Sequence, residues 1–251
     1  QMLDSPTFSA DDGNGGNFAT LNPLGAGSDN VLSEGNLRNT STQSHIAGAP
    51  ATMGARSGKW YWEVRITTKY YSHPALGISA GSVSNATSTT TGDIPNLLIY
   101  TGNASSNLVK LSMTNDVWGT YGETETGLGA FVNGDICMVA LDIDNKKIWY
   151  GKNGTWANSG DPAAGANPQQ TWTGTGFDIF PVVGSYSTVA EANFGSDGTF
   201  NGTETAQGNA DGNGYGDFYY APPTDFLAMC AGNIPTAEEV DPAQTDDDYP
   251  Q

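Results

Sequence analysis

Few residues in this chain have the types and spacing that catalysis needs. Its two histidines, His45 and His73, have no neighbouring acid or cysteine that would complete a proton relay or a zinc site, so both read as polar loop residues. Cleaving a glycosidic bond takes two carboxylates held at a defined separation across the sugar. The nearest candidates, Glu123 and Glu125, lie on a loop before Gly127. Hard oxygen ligands occur among glycines in two places: Asp11, Asp12, Asn14 and Asn17, and Asp211, Asn213 and Asp217. Neither place has EF-hand spacing, so a solvated acidic loop is the default and calcium the minor reading. No catalytic residue and no other cofactor is expected. Cys137 and Cys230 are far apart, and Cys137 falls inside an apolar run, so two buried thiols are expected before a single long-loop disulfide. Asn-x-Ser/Thr sequons stand at Asn39, Asn85, Asn103, Asn153 and Asn201, but in a chain so rich in these residues they read as coincidence.

The remaining chemical signal is aromatic. Tyr70, Tyr71, Trp118, Tyr121, Trp156, Trp172 and Tyr186 lie in or beside loops, with His73 close to the tyrosine pair. Aromatic faces with polar edges suit both sugar stacking and peptide docking, so these positions are the candidate ligand-binding set. The alternative for each is a cap on the core or a subunit contact. Trp60, Trp62 and Trp149 are instead expected in the core.

The elements that would position these loops are strands. Asp135 to Ile143 places Cys137, Val139, Leu141 and Ile143 on one face and Ile136, Met138 and Ala140 on the other, the pattern of a strand covered on both sides. Lys147 to Lys152 resumes the apolar run, and Asn153-Gly154 supplies a type I′ turn into Trp156, making a β-meander. In GKWYWEVRI, Trp60, Trp62, Val64 and Ile66 face one way and Tyr61, Glu63 and Arg65 the other, which predicts a half-buried antiparallel strand. Short strands are predicted at 18–24 and 75–80, a hairpin pair at 97–101 and 108–113, and strands at 177–183 and 189–194. Pro181 suggests that its strand is an edge or bulged. Residues 36–57 read as polar and small, and 82–93, 115–134, 157–176 and 196–217 as long loops. About ten to twelve short strands between turn signals describe an all-β, two-sheet antiparallel sandwich. Residues 1–232 are expected to form it, followed by an acidic tail or linker at 233–251.

Composition agrees with that class. The 251 residues include 33 glycines and 13 prolines, only 14% are charged, and no stretch has helical periodicity. Nine lysines and arginines face 27 aspartates and glutamates, a formal charge of −18. Such a chain is repelled by phosphate backbones and anionic bilayers, which argues against nucleic acid and membrane partners. No run of about 20 apolar residues is present, so a soluble protein is expected. Gln1 is not an initiator residue, so the visible N-terminus is expected to be processed or trimmed, and the compartment is left open.

SGKWYWEV at 57–64, LGIS at 76–79, GD at 134–135, VALDIDNKKIWYGKNGTW at 139–156, FPVVG at 180–184 and NFG at 193–195 together resemble the SPRY domain, the core of the B30.2 family. The resemblance implies a concanavalin-like jelly roll and a non-enzymatic role, with loops at one rim as the binding surface. A narrower resemblance rests on FATLNPL at 18–24, GDPAAG at 160–165 and APPTDFLAMCAGNIP at 221–235, which are similar to SPRY-containing structural proteins of tailed bacteriophages. It implies a fibre, spike or head-decoration component at the virion surface, homo-oligomeric and binding host glycan or other virion subunits. The alternatives are a cellular SPRY adaptor that binds a short peptide and, third, a glycan-active concanavalin-like enzyme.

Overall fold

The computed structural model describes residues 15–27, 30–41, 47–69, 74–80, 97–102, 108–111, 122–124, 131–171, 178–185 and 188–234. Within them, strands assemble into two sheets that are antiparallel except for one short parallel pair. The larger sheet runs in the order β1 (Asn30–Ser33), β2 (Arg38–Ser41), β14 (Thr188–Asn193), β4 (Lys59–Lys69), β9 (Ile136–Asp142), β10 (Lys147–Lys152), β11 (Thr155–Trp156). Two short strands, β12 (Gln170–Thr171) and β15 (Leu227–Ala228), attach to β10 and β4. The smaller sheet is β3 (Ala47–Pro50), β13 (Ile179–Ser185), β5 (Pro74–Ala80), β6 (Leu97–Gly102), β7 (Leu108–Leu111), β8 (Gly122–Thr124).

The core between the sheets follows from period-two alternation. Trp60, Trp62, Val64 and Ile66 of β4 meet Cys137, Val139 and Leu141 of β9, with Ile148 and Tyr150 of β10 and Ala190 and Ala192 of β14 beside them. Leu76 and Ile78 of β5 and Ile179 and Val183 of β13 join the same cluster. The three tryptophans assigned to the interior, Trp60, Trp62 and Trp149, are buried. Both thiols are free and buried, and the two belong to different clusters.

The outer face of the larger sheet is not open to solvent. Tyr61, Met138, Ala140 and Trp149 point outward and are covered by Phe218, Phe226, Ala228 and Cys230, with Phe18 from the N-terminal side. Residues 196–234, called the cap below, therefore add a third, turn-rich layer over this face, anchored to the larger sheet by β15. This corrects the expectation that β4 is half-buried. Tyr61 and Glu63 are wholly buried and Arg65 nearly so, because the cap supplies a partner for each: the Phe218 ring for Tyr61, the Tyr219 N–H for Glu63 and the Glu204 carboxylate for Arg65.

Other differences have local causes. Pro181 lies in a strand paired on both sides, not at an edge. Its carbonyl accepts Ala51 N–H at 2.7 Å, so the missing proline N–H faces the end of the short strand β3 and forfeits a single rung. Phe18 and Leu21 make isolated bridges to Cys230 and Ala51 in place of a continuous strand. The polar stretch 36–57 contains β2 and β3, and β8 lies inside the segment read as a long loop at 115–134. The predicted hairpin is present as β6 and β7.

Candidate functional site

Of the loop aromatics singled out from the sequence, Trp156 lies among the described residues. Tyr70, Tyr71, His73, Trp118, Tyr121, Trp172 and Tyr186 lie outside them, as do the calcium candidates Asp11 and Asp12. Trp156 sits on β11, one residue past the pair Lys152 and Thr155 that closes the two-residue turn. Asn153 (φ 49°) and Gly154 (φ 81°) both adopt positive φ, as a type I′ turn requires.

The turn is held from below. The Asn153 side chain accepts Ile136 N–H at 2.9 Å and donates to Asp135 Oδ1 at 2.7 Å. Asp135 also accepts Val132 N–H at 2.8 Å and pairs with Lys152 Nζ at 3.7 Å, and that ammonium lies 5.4 Å from the centre of the Phe131 ring. The sequon at Asn153 is thus a turn-building residue. Asn39 is buried and donates to Val183 O at 3.1 Å, which leaves no room for a glycan.

Half-buried Trp156 meets Tyr61 edge to face at 6.5 Å. Tyr220 leans on the turn, so close that a Cβ on Gly154 would come within 3.1 Å of its ring, and Tyr219 packs edge-on against Tyr220 at 5.0 Å. Both tyrosines are half-buried. Burial first, then the charges of Tyr219, Glu63, Glu204 and Asp135, raise the Tyr220 phenol above its ordinary value. Trp156, Tyr219 and Tyr220 therefore cluster beside the hairpin tip. Sequence reasoning missed the two tyrosines, which it placed in the stretch closing the fold. Their signal was an adjacent aromatic pair next to Pro222-Pro223, the same kind of pair as Tyr70-Tyr71.

Beneath this cluster lies Glu63. Its Oε1 accepts Tyr220 N–H at 2.7 Å and Tyr61 O–H at 2.9 Å, and its Oε2 accepts Tyr219 N–H at 2.9 Å and Asn193 Nδ2 at 3.2 Å. Burial pushes the carboxyl up to about 7 against the pull of those four donors. A raised carboxyl is often a catalytic acid. Here both oxygens are occupied and the residue is wholly buried, so its work is to hold the cap.

Asp211 has a comparable role. Oδ1 accepts the N–H groups of Asn213 and Tyr215, each at 2.9 Å, and Oδ2 accepts Ala228 N–H at 2.8 Å and Asn233 Nδ2 at 2.6 Å. Four donors fill the lone pairs a cation would use. Asp217 contributes backbone groups, its N–H to Gly195 O at 2.8 Å and its carbonyl to Asn193 Nδ2 at 2.9 Å, while its Oδ1 is buried without a hydrogen bond. Among the described residues, no three His, Cys, Asp or Glu side chains come together as a metal site would need.

The arrangement offers aromatic faces and polar edges for binding. Comparison with known proteins agrees with its framework. The model of the SPRY domain family matches residues 59–197, more than half of the chain. That span contains all but Ser57 and Gly58 of the pieces that carry the SPRY resemblance, and they fall on or beside β4, β5, β9 to β11, β13 and the end of β14. Among solved structures, the SPRY domain of human HERC1 is 20% identical, with a TM-score of 0.48 over 68% of this chain and 96% of that one. The PSpry domain of TRIM65 is 14% identical, with a TM-score of 0.46 over 69% of this chain and 90% of its own. Stonustoxin is 17% identical with a TM-score of 0.44, and the match covers 69% of this chain but only 26% of the toxin. No curated protein sequence matches the chain. With its family model matched across the central strands of both sheets, the chain belongs to the SPRY domain family.

Proposed function

We propose that the chain is a non-enzymatic binding module at the surface of a bacteriophage virion, where it contacts host glycan or a neighbouring virion subunit as part of a homo-oligomer. The observation that carries the binding role is the aromatic cluster of Trp156, Tyr219 and Tyr220 on a pinned hairpin. A rigid sandwich fixes the hairpin ends, so little conformational entropy is lost when the rings dock. Repetition on a particle would multiply individually weak contacts through effective concentration.

Support for the virion setting comes from the narrower sequence resemblance and from where its phrases lie. Phe18 of the first phrase bridges Cys230 of the last, and Ala19 N–H donates to Met229 O at 2.9 Å. The GDPAAG loop is tied to the meander by Trp149 Nε1 on Ala166 O at 2.7 Å and Lys147 Nζ on Gly165 O at 2.8 Å. The two outer phrases are thus one structural unit around the SPRY core. Charge fits as well: Arg38, Arg56, Lys59, Arg65 and Lys152 each sit in an ion pair, so the acidic excess stays unmatched and favours neutral sugars over anionic ligands.

Light scattering on the purified chain, followed by parallel screens of host surface saccharides and peptides, tests the reading. A trimer or larger assembly that binds saccharide is expected. A monomer of 26.2 kDa that binds only a short peptide would replace it with the cellular adaptor, and release of reducing sugar would replace it with an enzyme.

A further inference from the structure

We infer that the sandwich holds a single internal water between its two sheets, bound by the side-chain oxygens of Asn30, Asn39 and Ser41. The three residues share one face. Asn30 of β1 stands directly opposite Ser41 of β2, and Asn39 lies two residues before Ser41 on the same strand. Leu32, opposite Asn39, packs against the core between the sheets, so this face of the β1–β2 pair looks inward. Asn39 is wholly buried and Ser41 nearly so.

Both asparagines reach across to the smaller sheet with their amide nitrogens. Asn39 Nδ2 donates to Val183 O of β13 at 3.1 Å, and Asn30 Nδ2 donates to Gly48 O of β3 at 3.4 Å and to Gly27 O at 3.2 Å. A backbone carbonyl can only accept, so the orientation of each amide is fixed and its oxygen is the end left over. Asn30 Oδ1, Asn39 Oδ1 and Ser41 Oγ are each shut away from solvent and have no hydrogen-bond partner in the protein. Leaving one such atom dry is costly, and here three converge on one place.

The unmet groups select the occupant. Two amide oxygens call for two donated protons, and a hydroxyl that donates calls for an acceptor. Water supplies this set: its hydrogens go to Asn30 Oδ1 and Asn39 Oδ1, and its oxygen accepts Ser41 Oγ–H. About three hydrogen bonds is the usual complement of a buried water. Spacing agrees, because opposite residues on paired strands have Cβ atoms about 5 Å apart and residues two apart on one strand lie about 7 Å apart, so one small molecule at the centre reaches all three. A calcium ion fits poorly. It takes about six to eight oxygens, commonly with carboxylates among them, whereas these side chains offer three neutral oxygens and no charge to offset its burial. Water therefore completes the polar end of the core, where β1 and β2 meet β3 and β13.

A high-resolution crystal structure of the full chain tests this. The expected result is one water peak within about 2.6 to 3.1 Å of all three oxygens. Direct contact among the three side chains with no density between them overturns the site, and so does a peak with additional ligands at about 2.4 Å, the distance of a metal ion. If crystals do not form, solution NMR decides, read as cross-relaxation between water and the side-chain amide protons of Asn30 and Asn39. A cross-peak with the sign of a water that tumbles with the protein supports the site, and its absence overturns it. Ser41→Ala guards against a signal relayed by the exchanging hydroxyl. The cross-peak is expected to persist there, held by the two amide oxygens, and its loss in the folded variant overturns the assignment to water.

Discussion

Glu63 and Tyr220 are 157 residues apart in sequence, yet the Glu63 carboxylate accepts the Tyr220 backbone N–H at 2.7 Å. That contact joins β4, a central strand of the larger sheet, to the cap. Replacing Glu63 with Ala leaves four donors without an acceptor in a dry seam. Urea unfolding followed by tryptophan fluorescence is expected to show a loss of about 3 kcal/mol or more. A loss below about 1 kcal/mol would mean that water replaces the carboxylate and that the cap is held by its aromatic side chains alone.

The turn that starts the cap is equally demanding. Gly195 has φ 118°, and a Cβ there would come within 2.7 Å of the Phe18 ring. Gly202 also has positive φ, at 77°, but a Cβ there meets nothing within 4 Å. Gly195→Ala is therefore expected to cost about 3 kcal/mol and Gly202→Ala about 1 kcal/mol by chemical denaturation. Equal costs would show that backbone strain alone governs both sites.

Asp211 separates a hydrogen-bonding role from a metal role. Its four N–H contacts predict that Asp211→Ala loses about 2 to 3 kcal/mol, and that the loss is the same with calcium as with chelator. Thermal unfolding in both conditions is the measurement. A calcium-dependent stability in the native chain that disappears in the variant would instead make Asp211 a ligand.

Binding and stability should part company at two tryptophans. Trp149 is buried against Phe226, ring centres 6.1 Å apart, and donates to Ala166 O, so Trp149→Ala is expected to cost about 3 to 5 kcal/mol. Trp156 is half-buried, and Trp156→Ala should cost about 1 to 2 kcal/mol while weakening saccharide binding by about tenfold or more. Titration calorimetry beside denaturation would show it. Unchanged binding in a folded Trp156→Ala would remove the hairpin cluster from the binding surface.

Much of the framework was legible because it obeys simple periods. The alternation in 135–143, the Asn153-Gly154 turn and the inward set Trp60, Trp62, Val64 and Ile66 all appear as read. The outward set of β4 misled because alternation reports that Tyr61, Glu63 and Arg65 share a face, not what covers it. The cover is a turn-rich segment with no period of its own, and it holds Glu63 largely through backbone N–H groups, which carry no side-chain signature. Residues 38–41 and 47–50 were unreadable as strands for a related reason. Arg-Asn-Thr-Ser and Ala-Gly-Ala-Pro have little intrinsic strand preference and are held by neighbours already in place. Tyr219 and Tyr220 belong to the candidate site only because the cap folds back over the sheet and brings them to Gly154.

The virion assignment is tested most directly by immunogold electron microscopy of purified, intact phage particles, using antibody raised against this chain. Label on the outside of the particles, at a repeated position, is the expected result. Unlabelled intact particles, with the protein recovered only from the soluble fraction of the infected cell, would contradict it.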